Sequence, residues 1–306
     1  MVGVLIGFAI IGAVIAVGYL VGRFDLLGPQ AQHVLGRLAF FVLSPALLFT
    51  VLGEADVSHL FSALLPISAI AAIVNIAAFL LVSLVIWRRP LPDATIGALA
   101  SGYVNANNIG LPVSVYVLGD ASSSAPVILL QLVVLAPIAL TVLDVTTSGR
   151  VSIGRILLGP VRNPLIIGSL LGVIVAVTRL QIPALVLAPF QLVGGAAVPV
   201  ILLTFGMSLH GSRLLTPGSD RRDVLLASLL KLAAMPVVAW LLGQFVWQLH
   251  GHRLFVVVVL AALPTAQNVF NYAQRYGVGT VLARDTVLIT TTLSIVVLVI
   301  VAALLA

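Results

Sequence analysis

The chain contains no cysteine, which excludes a disulfide framework and any cysteine-based zinc or redox site. It is also poor in charge, because only 8% of its 306 residues are charged, against about 25% in an average soluble protein. Hydrophobic residues make up 61% of the chain, and the mean hydropathy is +1.25. This composition excludes a soluble globular protein and predicts an integral membrane protein.

Other patterns are missing as well. Alternating apolar segments of about ten residues, which are typical of outer-membrane barrels, do not occur. The net charge is +6, but the basic residues stand singly or in pairs and form no stripe, so we expect no nucleic-acid partner. The chain has no His-Glu-x-x-His motif and no intramembrane pair of acids, and its histidines lack metal-ligand spacing. We therefore expect no enzyme activity, no metal and no cofactor.

Long uncharged or nearly uncharged runs fill most of the chain. Most of them reach the roughly 20 residues that a helix needs to cross a bilayer, so we predict an all-α membrane protein with ten transmembrane helices. The ten runs are Met1 to Gly22, Leu38 to Gly53, Val57 to Trp87, Ala94 to Gly119, Ala121 to Leu143, Asn163 to Thr178, Leu180 to Leu209, Val224 to Gln248, Leu254 to Gln274 and Thr286 to Ala306.

Arginine is distributed unequally between the loops. The loops after odd-numbered helices hold twelve arginines, whereas those after even-numbered helices hold two. The positive-inside rule therefore predicts a multi-pass protein of the plasma (inner) membrane, with odd-numbered loops in the cytoplasm and both termini outside. No basic residue precedes Arg23, so we interpret the first run as helix 1 rather than as a signal peptide.

The longest linker separates five predicted helices from five. We expect a first repeat over 1–147, a central cytoplasmic loop over 148–161 and a second repeat over 162–306. At an offset of 154 residues, SPALLFTVLG at Ser44 to Gly53 matches VPVILLTFGM at Val198 to Met207. Because five is odd, the second repeat would cross the membrane upside down relative to the first, as in the inverted repeats of secondary transporters.

Polar residues and prolines interrupt the fourth and ninth runs, in YVNANNIGLPVSVYVLGD (Tyr103 to Asp120) and in LPTAQNVFNYAQRYG (Leu263 to Gly277). Proline removes a backbone donor and glycine permits non-helical angles, so Gly110 and Pro112 predict a break near 107–112, and Pro264 predicts a second break. Breaks of this kind persist in a membrane only beside protein or a water-filled cavity. The positive N-terminal ends of half-helices suit a carboxylate.

Polar side chains beside the two interruptions are the candidate substrate ligands. The alternative for each amide is a structural hydrogen bond to a neighbouring helix, and for the intramembrane lysine it is snorkelling to the interface. The small-residue stretch GSLLG at Gly168 to Gly172 either dimerises helix 6 or packs within one protomer. The candidate ligands are Asn105, Asn107, Asn108, Thr265, Gln267 and Asn268, and the accessory candidates are Asn75, Lys231 and Asn271.

Three short patterns have the spacing of one known family. They are N-x4-G-x-P-x6-G at Asn105, Gly110, Pro112 and Gly119, LP with A-x-x-Y at Leu263, Pro264, Ala273 and Tyr276, and Q-x-V-V-L at Gln131 to Leu135. Together they resemble the auxin efflux carrier family, which includes the plant PIN transporters and bacterial carriers of small organic anions. The chain departs from the plant members at Val269, where they place a crossing proline, and Pro264 moves the expected break toward Thr265.

The resemblance implies a ten-helix fold shared with sodium/bile acid symporters, in which broken helices 4 and 9 cross at the substrate site. By position, Asn105 matches the family's substrate-contacting asparagine, and Gln131 matches its helix 5 glutamine. The resemblance also implies a homodimer. Helices 1, 2, 6 and 7 would form its scaffold, and helices 3–5 and 8–10 would form a moving transport domain.

The predicted function is therefore elevator-type secondary transport of small organic anions, either auxin-like carboxylates or dicarboxylates. The alternative on the same fold is a sodium-coupled symporter of bile-acid-like or other carboxylates. All nine acids lie in loops or at helix ends, so no carboxylate marks a proton relay or a sodium site at the midplane. The sequence leaves the coupling ion open.

Overall fold

The computed structural model describes residues 2–54, 63–148, 163–210 and 221–306, and every regular element within these ranges is helical. The segments, in chain order, are α1 (Val2–Arg23), α2 (Ala31–Glu54), α3 (Leu64–Ile86), α4 (Leu91–Gly102), α5 (106–118), α6 (Ala121–Thr147), α7 (Pro164–Thr178), α8 (Ala184–Leu209), α9 (Arg221–Val246), α10 (His252–Ala261), α11 (Gln267–Tyr276) and α12 (Thr280–Leu305).

Six of these helices are long and apolar enough to cross a membrane by length and composition: α2, α3, α6, α8, α9 and α12. The last part of α1, together with α7 and α10, adds shorter apolar helices. The predicted all-helical, multi-pass membrane protein is thus confirmed at this level. Apart from its first residue, the expected central loop at 148–161 lies outside the described residues.

One compact unit comprises Met1–Ser62, Asn107–Leu129 and Gly159–Ser212. Within it, α1 packs against the second half of α8, and α7 packs against the second half of α2. Both pairs approach closely through glycine. A Cβ atom on Gly18 would overlap the carbonyl oxygen of Leu203, and one on Gly172 would lie 2.7 Å from the carbonyl oxygen of Phe49. Gly172 therefore serves packing within the protomer, and the two contacts repeat at the predicted spacing of 154 residues.

The second unit comprises Ala63–Ala106, Leu130–Leu158 and Arg213–Ala306. Here α3 packs on α4, α9 packs on α10, and α12 contacts α9, α10 and α11. The chain leaves α3 and α9 in the same way, through a terminal π-helical turn, a tryptophan and then a residue of positive φ. The positive-φ residues are Arg88, at φ 52°, and Gln248, at φ 50°. These features are 160 positions apart, so the repeat spacing in this unit differs from 154.

The fourth span is interrupted earlier than the sequence predicts. α4 ends at Gly102 and α5 begins at residue 106, so the break covers 103–105, and the predicted position of 107–112 is wrong. Gly110 has helical angles, with φ −62° and ψ −45°. Pro112 lies in a short α-turn between two π-helical turns. A π-turn places an extra residue in the preceding turn, so the helix accommodates the missing donor of proline and continues.

Candidate functional site

The two interruptions pair with each other inside the second unit. Val104 and Thr265 form an isolated antiparallel bridge. The amide of Asn105 donates to the carbonyl of Pro264 at 2.7 Å, and the amide of Ala266 donates to the carbonyl of Tyr103 at 3.0 Å. Main-chain groups released by one break are thus satisfied by the other. Such pairing allows non-helical backbone to persist at membrane depth.

Two neighbouring helices each supply one side chain to the crossing. The Oε1 atom of Gln131 on α6 accepts from the amide of Val104 at 2.6 Å. The Oγ1 atom of Thr290 on α12 accepts from the amide of Thr265 at 3.1 Å. Because a backbone amide can only donate, the oxygen of Gln131 must face Val104. Its Nε2 group is left to donate to other acceptors.

Side chains also cap the C-terminal ends of both half-helices that precede the crossing. The hydroxyl of Thr265 donates to the carbonyl of Ala100, near the end of α4, at 2.6 Å. The Nζ atom of Lys231 donates to the carbonyl of Ala261, the last residue of α10, at 2.8 Å, and contacts Met235 Sδ at 2.9 Å. Lys231 is 0% exposed, so its side chain does not snorkel to the interface.

The start of α11 is the most suitable place for an anion. Ala266 precedes the helix in an extended conformation and offers no side-chain cap. The amides of Gln267 and Asn268 occupy the first two positions of α11, where no acceptor exists within the helix. The side chain of Gln267 is exposed, and that of Asn268 is half-buried. The positive end of a half-helix thus lies directly after the crossing.

Tyr103 adds a hydroxyl that the sequence analysis missed. The residue is 1% exposed, and its hydroxyl makes no hydrogen bond of standard geometry. Tyr272 and Asn268, both on α11, are its polar neighbours. Its position immediately before the asparagine-rich stretch could have indicated that Tyr103 belongs to the site. Thr290 was missed as well, although the ITTTL sequence is a polar interruption of an apolar run.

The remaining predicted residues occupy different surroundings. Asn105 is 5% exposed and lies at the crossing itself. Asn107 and Asn108 belong to the first unit, where the Asn107 side-chain amide donates to Asn108 Oδ1 at 2.9 Å. Asn75 is 1% exposed and donates to its own helix at Ala71, while its Oδ1 atom has no hydrogen-bond partner. Asn271 is exposed on α11.

A family model described as "Membrane transport protein" matches residues 4–150 and 148–302 of the chain. The chain belongs to this family. It is the auxin efflux carrier-like family that the motifs resemble, so that identification is confirmed. Membership makes the chain a transporter and not an enzyme.

A relative in Rhizobium meliloti (strain 1021) carries the name "Putative malonate transporter". It is 26% identical over 289 residues, which are 92% of this chain and 89% of the relative. The likeness therefore covers both units of the chain.

Proposed function

We propose that this membrane transport protein is a secondary carrier of small carboxylates, with a dicarboxylate such as malonate as the first candidate. The observation that carries the proposal is the crossing of two interrupted spans, which ends at the uncapped start of α11. An uncapped helix N-terminus combines unsatisfied N–H donors with partial positive charge, and both favour a carboxylate. The name of the relative supports malonate, since the two chains align over nearly their whole lengths.

In this proposal the substrate accepts hydrogen bonds at the crossing. The donors are Gln131 Nε2, the side chain of Asn105, the Tyr103 hydroxyl, and the amides and side chains of Gln267 and Asn268. Thr265 holds the two half-helices in place through its bond to Ala100. Asn107 and Asn108, two and three residues beyond Asn105, are further proposed contacts. Donors without fixed carboxylates suit an anion because no like charge opposes it.

The proposed architecture has ten spans in two inverted five-helix repeats, with both termini outside. Broken spans 4 and 9 are α4 with α5 and α10 with α11. The glycine contacts spaced by 154 residues and the helix exits spaced by 160 support this reading. The two stretches that match the family also meet at 148–150, between the proposed repeats.

Transport is proposed to follow an elevator mechanism in a homodimer. The scaffold would consist of α1, α2, α7 and α8, and these four helices are in the first compact unit. The moving domain would carry the crossing, which lies wholly in the second unit. In such a mechanism the crossing moves as a body, and its main-chain pairing within one unit supports that part of the proposal.

A thermal stability screen of the purified protein tests the proposed substrate class. A ligand that binds only the folded state adds RT ln(1 + [L]/Kd), or about 2.7 kcal/mol at a hundredfold excess over Kd. We expect malonate or another small carboxylate to raise the melting temperature in a saturable manner. The matched uncharged diamide should have no effect. If no mono- or dicarboxylate stabilises the protein, the proposal fails.

A further inference from the structure

The C-terminal end of α10 is a half-helix end that lies beside the crossing. In secondary transporters, the C-terminal ends of half-helices and unwound carbonyls near the midplane coordinate the coupling ion. α10 is such a half-helix, and its last carbonyl is that of Ala261. In this protein the Nζ atom of Lys231 already donates a hydrogen bond to that carbonyl, at 2.8 Å.

The described hydrogen-bond partners of Lys231 are both neutral acceptors. Its Nζ atom bonds to a carbonyl oxygen and to the sulfur of Met235, and its side chain is completely buried. Among the described residues, no ion pair joins Lys231 to a carboxylate. The carbonyl of Ala261, at the partially negative C-terminal end of α10, favours the charged form of this amine. Lys231 is also the single lysine in the sequence.

The other half-helix has a neutral cap among the described residues. The end of α4 is capped at Ala100 by the hydroxyl of Thr265, which is neutral. At the repeat spacing of 160, the residue on α3 that corresponds to Lys231 is Ala71. Among the described residues, a basic side chain thus caps one side of the crossing and a neutral hydroxyl caps the other. Capping alone does not require a basic side chain, because a hydroxyl performs that task on the other side.

We propose that Lys231 is a tethered cation that takes the place of a free coupling ion at the crossing. Its ammonium group holds the end of α10 in the arrangement that binds the carboxylate, so binding requires no sodium. The inference rests on the proposed carboxylate transport for its substrate. It selects against the sodium-coupled alternative, because the end of α10 is filled by the protein itself.

The first experiment needs no substrate. Melting temperatures are measured in sodium, potassium, ammonium and choline chloride at equal ionic strength. We expect no difference between these salts for the wild-type protein, and a lower melting temperature for Lys231→Ala that ammonium or sodium partly restores relative to choline. Arg222→Gln is the control, because it removes an equal charge from an exposed position of the same helix. Sodium-specific stabilisation of the wild type would overturn the proposal.

The second experiment separates charge from hydrogen bonding. Lys231→Gln keeps a donor for Ala261 but loses the charge, whereas Lys231→Arg keeps the charge. In choline chloride we expect the glutamine variant to bind malonate at least tenfold more weakly than the wild type, and the arginine variant to bind it more tightly than the glutamine variant. If the glutamine variant binds malonate as tightly as the wild type, Lys231 serves only to cap α10, and the proposal is overturned. If no carboxylate binds even the wild type, the proposed substrate is wrong, and the substrate-free experiment still tests Lys231.

Discussion

The Oε1 atom of Gln131 accepts a hydrogen bond from the amide of Val104 over 2.6 Å, and this bond ties α6 to the interrupted part of the fourth span. The contact assigns two tasks to one side chain. Its oxygen satisfies a backbone donor that the break has released, and its nitrogen is left to donate to a substrate. The two tasks can be separated by substitution.

Replacing Gln131 with leucine should lower stability as well as transport. The buried amide of Val104 would lose its acceptor, and an unsatisfied buried donor costs about 1–3 kcal/mol. Gln131→Glu keeps an oxygen for Val104, but an ionised glutamate has no donor and buries a charge, so we expect loss of carboxylate binding together with some loss of stability. Thermal unfolding and malonate titration measure the two effects. A glutamate variant that binds malonate normally would contradict the assigned donor.

Thr146→Val provides the control for these variants. The hydroxyl of Thr146 is on the same helix, and its bonds within the described residues go to carbonyls of its own helix, at Val142 and Leu143. We expect its removal to leave both melting temperature and malonate affinity nearly unchanged.

Asn105→Ala should weaken substrate binding more than it weakens the fold. The bond to Pro264 uses the main-chain amide of Asn105, so alanine retains it. We expect the Kd for malonate to rise about tenfold or more, which corresponds to roughly 1.4 kcal/mol. Isothermal titration of the purified variant measures this change. Gln274→Ala, on an exposed position of α11, should bind as the wild type does. Equal affinities for the Asn105 variant and the wild type would remove Asn105 from the site.

The sequence located the crossing better in one span than in the other. Pro264 directs attention to the neighbourhood of Thr265, and α10 and α11 end and begin on either side of that residue. In the fourth span, Gly110 and Pro112 gave the wrong position, because π-helical turns accommodate proline without ending the helix. Residue type alone does not reveal such a turn.

Long-range pairing explains why the sequence analysis did not find the other residues of the crossing. Tyr103 and Val104 are non-helical because their backbones pair with Ala266 and Thr265. Those partners are about 160 residues away in the sequence, and no local propensity encodes them. The cap of Lys231 on Ala261 is of the same kind. The family and the membrane class could be read from composition and motif spacing, whereas these long-range bonds could not.

Two glycines at corresponding positions of the two proposed repeats should lose stability alike when they are substituted. Gly18→Ala and Gly172→Ala would each press a methyl group against a backbone carbonyl of the neighbouring helix, at Leu203 and Phe49 respectively. Overpacking of this kind typically costs about 1–3 kcal/mol. Thermal unfolding should show similar losses for both variants.

Gly12→Ala is the matched control on α1. A Cβ atom at Gly12 would meet nothing within 4 Å, and alanine is the better helix former by roughly 0.5–1 kcal/mol. We therefore expect no loss of stability in this variant. If Gly18→Ala is tolerated as well as Gly12→Ala, the close approach of α1 and α8 is incorrect.

The proposed topology can be tested because the chain has no cysteine of its own. Single cysteines replace His33, near the predicted cytoplasmic loop after the first span, and Gln181, between α7 and α8. Both residues are exposed. With a membrane-impermeant maleimide on intact cells, we expect Gln181→Cys to be labelled and His33→Cys to be labelled only after lysis. The reverse pattern would invert the predicted orientation.

Counterflow of radiolabelled malonate into proteoliposomes tests the central claim most directly. Liposomes loaded with unlabelled malonate should accumulate label in a saturable manner, and Asn105→Ala should reduce the initial rate at least tenfold at low substrate concentration. Vesicles without protein provide the baseline. The melting curve first shows that the reconstituted protein is folded. If this protein then accumulates no more label than the empty vesicles, with malonate and with every other small carboxylate, the account is contradicted.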